Sequence, residues 1–270
     1  MKELLLAKNL SKKYMQTQGF FSRTTSVINA LDDISISITE GTTVAVVGES
    51  GSGKSTLAKS LIRLVDLDNG EIEFIGKNLL GLSGNNLKDI RKNIQMVFQD
   101  PYASLNPRMK VFDIINEPLL IHNFKDRALR EKKIKNIITR VGLSHSDLFK
   151  YPHQFSGGQR QRIGIARALI LEPKSVICDE PVSALDVSVQ AQIIQLLKDL
   201  QKEFGLTYLF ITHDLRIVRY IADHVIVMKQ GKLIEQGKTD IIFKNPKSNY
   251  TKELLASIPG LISKRKKNGS

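Results

Sequence analysis

Eight residues, Gly48-Glu-Ser-Gly-Ser-Gly-Lys-Ser55, constrain this fold more than any other segment. Before them stands Thr43-Val-Ala-Val-Val47, an unbroken run of the kind found in strands buried on both faces. After them comes a stretch that predicts a helix from about Lys54 to Leu64. Two glycines with four residues between them, then Lys and Ser, placed between a buried strand and a helix, make the pattern of a phosphate loop. Glycines let the backbone curl until successive N–H groups point at one anion, and the helix adds its partly positive N-terminus. At this offset Lys54 reaches the β- and γ-phosphates of a nucleotide, and Ser55 binds Mg²⁺.

The rest of the chain predicts an α/β protein around that loop. Leu4-Leu-Leu-Ala7 is a short apolar run, and Ile34-Ser-Ile-Ser-Ile38 alternates with period two, as a half-buried strand does. Met15–Asn29 has no clear period and reads as a loop. Asn69-Gly70 reads as a turn before a strand over Glu71–Ile75. From about 110 to 172 the pattern turns helical, with helices over Arg127–Val141 and Gln159–Leu171. Strands then return at Val176–Cys178, Leu206–Ile211 and Val225–Met228. Between them lie helices over Val187–Phe204, with Ile193, Leu196, Leu197, Leu200 and Phe204 on one face, and over Leu215–Ala222. No internal repeat is visible. The tail Lys264–Ser270 is basic and reads as a solvated, disordered end.

Composition narrows the class. At 270 residues about three quarters of the unfolded surface can be buried, and the composition is that of a globular protein rather than a fibrous or disordered one. The net charge of +13 calls for an anionic partner: nucleic acid, nucleotide phosphates or a membrane surface. Cys178 stands alone, which excludes an internal disulfide and points to a reducing compartment. It sits within an apolar strand and reads as a small core residue. No apolar run approaches the ~18 residues of a membrane span, and the N-terminus lacks the apolar core of a signal peptide. The expected location is cytoplasmic unless a partner tethers the chain. The histidines at 122, 145, 153 and 224 show no ligand spacing, so no transition-metal site is expected.

Two further segments carry chemistry. Ser175-Val-Ile-Cys-Asp179-Glu180 is an apolar strand that ends in two carboxylates: Asp179 is placed to hold Mg²⁺ and Glu180 to polarise an attacking water. Phe155-Ser156-Gly157-Gly158-Gln159 opens a helix, so Ser156 and the glycines make a second anion site at a helix N-terminus. One chain thus carries two phosphate sites.

This second segment resembles the Leu-Ser-Gly-Gly-Gln signature of ABC transporter ATP-binding subunits, with Phe155 in place of the usual Leu. The resemblance covers about residues 3–260 and implies a P-loop NTPase core, a RecA-like mixed sheet flanked by helices, with an antiparallel β subdomain and an inserted helical signature subdomain. It further implies that two such domains dimerise head to tail. Each ATP then lies between one chain's loop, Gly48, Ser50, Gly51, Ser52, Gly53, Lys54, Ser55 and Thr56, and the other chain's Ser156, Gly157, Gly158 and Gln159. By the same resemblance Tyr14 stacks on adenine, with Phe20 or Phe21 as substitutes. Gln99 senses Mg²⁺ and the membrane partner, and completes the metal set with Ser55 and Asp179. Asp186, in Ser183-Ala-Leu-Asp186, couples the two sites. Glu180, His213 and Gln99 serve hydrolysis, His213 as the switch that contacts the γ-phosphate.

Three segments narrow the resemblance to the oligopeptide/dipeptide/nickel importer subfamily: Gln99–Arg108, Cys178–Gln190 and Asn245–Leu255. The long segment after Tyr14 is similar to that of the second ATPase subunit of peptide permeases. The C-terminal cysteines by which some relatives hold an iron–sulfur cluster are absent. The expected organisation is an ABC ATPase domain over 1–240, a C-terminal peptide-permease-type extension over 241–262, and a tail over 263–270. The expected function is ATP hydrolysis that powers peptide uptake through two transmembrane permease subunits. A second ATPase subunit, identical or homologous, completes the machine, and an extracytoplasmic substrate-binding protein acts indirectly. The chain would lie at the cytoplasmic face of the membrane, where anionic headgroups account for its charge. The alternatives are a nickel or metal-chelate importer ATPase and, in a different class, a soluble ABC ATPase acting on nucleic acid or the ribosome. The second lacks its usual marks, a long coiled coil or a duplicated ATPase domain, so no nucleic-acid partner is expected.

Overall fold

Antiparallel pairing begins at the first residues. β1 (Glu3–Thr17) runs against β2 (Thr25–Thr39), in a computed structural model that describes residues 2–17 and 25–258. The chain divides into two units, Met1–Leu80 with Phe210–Ser270, and Gly81–Leu209.

In the first unit an antiparallel sheet has the order β2-β1-β4-β5, with β4 at Asn69–Phe74 and β5 at Lys77–Asn78. The alternation at Ile34, Ile36 and Ile38 buries all three, as period two requires. Two expectations are corrected here. Residues 15–17 and 25–29, read as loop, extend the ladder of β1 and β2, in pairs such as Tyr14↔Ile28 and Met15↔Val27. This part of the pair is exposed, with Met15 83% accessible, so no buried face imposes an alternation that a reader could detect. Residues 18–24 lie outside the described residues, as does the tail. Asn69-Gly70, read as a turn, instead opens β4, where Asn69 pairs with Ser11.

The same unit holds β3 (Thr43–Val47), parallel to β9 (His224–Lys229), which in turn pairs antiparallel with β10 (Lys232–Lys238). Every residue of β3 is buried. α1 (Lys54–Leu61) follows β3 and ends three residues before the expected Leu64. α8 (Leu215–Ile221), α9 (Thr239–Lys244) and α10 (Asn249–Ala256) complete the unit. One core cluster joins Ala45 and Val47 of β3, Val225 and Val227 of β9, Val218 of α8, and Tyr250 of α10.

The second unit contains α2 (Gly84–Lys92), β6 (Ile94–Val97), α3 (Pro101–Ser104), α4 (Val111–Ile121), α5 (Arg127–Arg140) and α6 (Gly157–Leu169). β7 (Ser175–Asp179) lies parallel to β6 and leads to α7 (Val187–Phe204). α7 has the expected bounds. Its buried face is Ile193, Ile194, Leu197 and Leu200, whereas Leu196 and Phe204 are only partly covered. The division between the units falls within β8 (Thr207–Ile211).

Candidate functional site

In the first unit the chain leaves β3 into the loop at Gly48 and re-enters regular structure at α1. Two glycines make this turn possible. Gly48 has φ +150° and Gly53 φ +100°, and a Cβ at either would lie 2.1 Å from a backbone oxygen, of Met228 and Ala30 respectively. No other residue fits both the angle and the space. Lys54 is 6% exposed, and its Nζ donates to Gly48 O at 2.8 Å, Glu49 O at 2.7 Å and Ser52 Oγ at 3.3 Å. A buried ammonium is tolerated only when its protons are taken up, and the curled loop does this with its own oxygens. Ser52 is buried and its carbonyl accepts from the Gly231 N–H at 3.0 Å, which ties the loop to the end of the β9–β10 hairpin. Ser50 and Gly51 are exposed, and Ser55 and Thr56 are half-buried in the first turn of α1.

His213 lies in the same unit. The Thr212 N–H donates to Val46 O at 3.2 Å, so the chain that bears His213 runs beside the strand that delivers the loop. The Asp214 N–H then donates to Thr212 Oγ1 at 3.0 Å, and the Asp214 carboxylate caps α8 at the Arg216 N–H. The Arg216 guanidinium, which also bonds that carboxylate, holds it below the usual carboxylate range. His213 itself is exposed. Tyr14 is 40% exposed on β1, with Lys12 Nζ 5.6 Å from its ring centroid. Phe20 and Phe21, its expected substitutes, lie outside the described residues.

The second unit carries the carboxylates and the signature. Asp179, 5% exposed, ends β7, and Glu180 follows in the left-handed region at φ +46°. Such a conformation costs a non-glycine residue about 1–3 kcal/mol and persists only where the surroundings enforce it. Here the Ser183 N–H and Oγ both donate to the Glu180 carbonyl, at 3.3 and 3.1 Å. Gln99 Nε2 donates to Glu180 Oε2 at 3.2 Å, so two residues 81 positions apart meet. Burial pushes the Cys178 thiol far up, which suits an inert core residue.

Ser156 and Gln159 form a capping box at the start of α6. Ser156 Oγ accepts from the Gln159 N–H at 3.3 Å, and Gln159 Oε1 accepts from the Ser156 N–H at 3.0 Å. The cap uses Ser156 Oγ as an acceptor and leaves its hydroxyl proton available for donation. The two glycines have a packing role as well. A Cβ on Gly157 would stand 3.1 Å from Leu185 Cδ2, and one on Gly158 only 2.4 Å from Val189 Cγ1. The signature therefore sits against the segment that contains Asp186, which is exposed at the N-cap of α7 and makes no side-chain cap bond.

Sequence reasoning missed two arginines on α6. Arg160, 6% exposed, donates through Nε to Pro152 O at 2.6 Å, and its guanidinium lies 3.6 Å from the Tyr102 ring centroid. Arg167 donates to Ser104 O. Both grip the segment that follows Gln99. They stand seven positions apart, which puts them on one helical face, and that spacing within α6 was the available signal.

Ser55 in one unit, and Gln99 and Asp179 in the other, offer a hydroxyl, an amide and a carboxylate oxygen, each a hard donor of the kind that Mg²⁺ takes. Glycine-freed N–H groups, the Lys54 ammonium and a helix start fit a nucleotide's phosphates.

The chain belongs to the ABC transporter family, whose model matches residues 31–183. It is 48% identical over 259 residues to the oligopeptide transport ATP-binding protein OppF of Streptococcus mutans serotype c, covering 96% of this chain and 82% of that one. It is 50% identical over 257 residues to the oligopeptide transport ATP-binding protein AppF of Bacillus subtilis, covering 95% and 78%. Among solved structures, a dimeric ATP-binding cassette in a post-hydrolysis state, bound to ADP and Pi, aligns with TM-score 0.77 at 30% identity, over 87% of this chain and 99% of that one. CbiO1 from Clostridium perfringens, part of the ABC transporter complex CbiONQ, aligns with TM-score 0.77 at 32% identity, over 91% and 92%. Among the described residues no helix is long and apolar enough to cross a membrane.

Proposed function

We propose that this chain is the ATP-hydrolysing subunit of a peptide importer. The observation that carries this reading is a pair of anion-binding helix starts in one chain, Gly53–Lys54 in one unit and Ser156–Gln159 in the other. Relatives at 48% and 50% identity that are named for oligopeptide transport support peptides over a nickel or metal-chelate cargo.

In this reading Gly48, Ser50, Gly51, Ser52, Gly53, Lys54, Ser55 and Thr56 bind the phosphates of ATP, and Tyr14 stacks on adenine. Ser55, Gln99 and Asp179 hold Mg²⁺, which neutralises phosphate charge when bound. Glu180 takes the proton of the attacking water as general base, Gln99 orients the Glu180 carboxylate, and His213 contacts the γ-phosphate. Ser156, Gly157, Gly158 and Gln159 act on the ATP of a second ATPase subunit, and Asp186 couples the two sites. The dimeric cassette related to this chain supports that pairing. Two permease subunits receive the motion at the cytoplasmic face of the membrane, and an extracytoplasmic binding protein delivers the peptide. The ATPase domain spans 1–240 with its helical subdomain at about 110–172, and the extension and tail occupy 241–262 and 263–270.

Mixed dimers test the head-to-tail pairing. Combining Lys54→Ala with Ser156→Arg chains places both defects in one composite site and leaves the other intact. ATP-dependent dimerisation of the mixture, measured by gel filtration, should exceed that of either variant alone. Equal behaviour of the mixture and the single variants would rule out the shared site.

A further inference from the structure

The C-terminal helix α10 reaches the phosphate loop. The Glu49 N–H, inside the loop, donates to Tyr250 Oη at 3.2 Å, across 201 positions of sequence. Tyr250 is held from several directions. Its ring belongs to the core cluster with Ala45 and Val47, and is 8% exposed. Lys229 Nζ, at the end of β9, lies 4.2 Å from the ring centroid. The turn before α10 is fastened separately: Glu235 of β10 accepts the Lys247 N–H at 2.8 Å and the Ser248 N–H at 3.0 Å. A phenol on a rigid mount therefore engages the one residue between Gly48 and Ser50.

The consequence follows from the loop's construction. Successive N–H groups must aim at one anion, so each peptide plane matters. Glu49 is where the chain turns out of β3, and its carbonyl is already committed to Lys54 Nζ at 2.7 Å. With the N–H of Glu49 held by Tyr250, the peptide groups on both sides of its Cα are fixed before any nucleotide arrives. Binding sites gain affinity when such ordering is in place beforehand.

We infer that Tyr250 is a positioning residue for the phosphate loop, and that the C-terminal segment carrying it is part of the nucleotide-binding apparatus. The inference rests on the loop's proposed role in binding ATP. Burial raises the Tyr250 phenol pKa, the Glu49 N–H opposes this, and the Glu49 carboxylate adds to the rise. The phenol thus stays protonated at neutral pH.

The test uses the full chain with ATP as the probe. Tyr250→Phe keeps the ring in its cluster and under Lys229 but removes the oxygen. Expected are faster hydrogen exchange at the Glu49 amide, a roughly three- to tenfold weaker Kd for ATP, and nearly unchanged thermal stability. Leu254, on α10, is partly buried against the same core cluster, so Leu254→Ala, which thins that packing, should lower stability and leave the Kd unchanged. Lys54→Ala should abolish tight ATP binding. If Lys54→Ala loses ATP while Tyr250→Phe binds it like the parent, the positioning role is overturned and the phosphate loop stands. Normal binding by Lys54→Ala would overturn the loop's role and this inference together. A loss of affinity in Leu254→Ala matching that in Tyr250→Phe would also overturn it, because packing alone would then explain the effect.

Discussion

Gln99 and Glu180 are joined side chain to side chain, Nε2 to Oε2 at 3.2 Å, at the ends of the adjacent parallel strands β6 and β7. The parallel register, with Val97 beside Cys178, brings both residues out at the same edge. The Gln99 amide thus holds one oxygen of the proposed base.

That bond predicts a division of labour. Glu180→Gln should retain ATP binding and lower turnover by roughly 10²–10⁴-fold. Gln99→Ala should also retain binding, with a smaller loss of roughly 10- to 100-fold from misplacement of the carboxylate. Single-turnover hydrolysis beside equilibrium ATP binding separates the two effects. Turnover near that of the parent in Glu180→Gln would remove it from the base role.

Gly158 should prove intolerant for a packing reason that is independent of catalysis. In Gly158→Ala the new methyl would meet Val189 Cγ1 at 2.4 Å, and a β-branched neighbour in a helix cannot rotate away. Overpacking of this kind costs about 1–3 kcal/mol, partly offset by the better helix propensity of Ala. Urea denaturation should therefore show a loss in the single variant and a recovery on adding Val189→Ala. No recovery in the double variant would place the defect elsewhere.

Tyr102 and Leu105, three residues apart, should respond in opposite ways to the same change. Tyr102 is 65% exposed over the Arg160 guanidinium, whereas Leu105 is 2% exposed. Leu105→Asp should lower stability by about 3 kcal/mol or more, because it buries an unpaired charge. Tyr102→Asp should leave stability and ATP binding near those of the parent and abolish assembly with the permease subunits, measured by co-purification. Transport-competent assembly of Tyr102→Asp would exclude this residue from a part in binding the proposed permease subunits.

Glu235 makes the mooring of α10 sensitive to acid. Burial raises its carboxyl, but the N–H groups of Lys247 and Ser248 hold the balance below the ordinary 4.5. A carboxylate whose folded pKa is depressed stabilises the fold above its unfolded pKa, and that contribution is lost as pH falls through the folded value. The protection factors of amides in 247–256, which correct for the pH dependence of intrinsic exchange, should therefore fall below about pH 4.5 in the parent. In Glu235→Gln protection should be lower already at neutral pH and show less acid dependence. A parent and variant with the same pH profile would exclude Glu235 as the mooring.

Much of this molecule was legible because local pattern and local chemistry coincide. The phosphate-loop pattern, the carboxylates at the end of β7 and the Ser156–Gln159 cap are each written in residues that stand a few positions apart. β3 and α7 were legible for the same reason: a continuous apolar run and a 3.6-residue period are statements about burial that the residues themselves make. What the sequence did not disclose depends on distant partners. The outer part of the β1–β2 pair is exposed, so only ladder bonds define it. Leu105 and Tyr102 look alike as apolar residues, and only packing sends one inward and the other out. The Gln99–Glu180 bond and the Tyr250–Glu49 bond join residues 81 and 201 positions apart. A hydrogen bond reaches about 3 Å, so whether such residues meet is decided by strand register and helix placement, which exist only once the chain has folded.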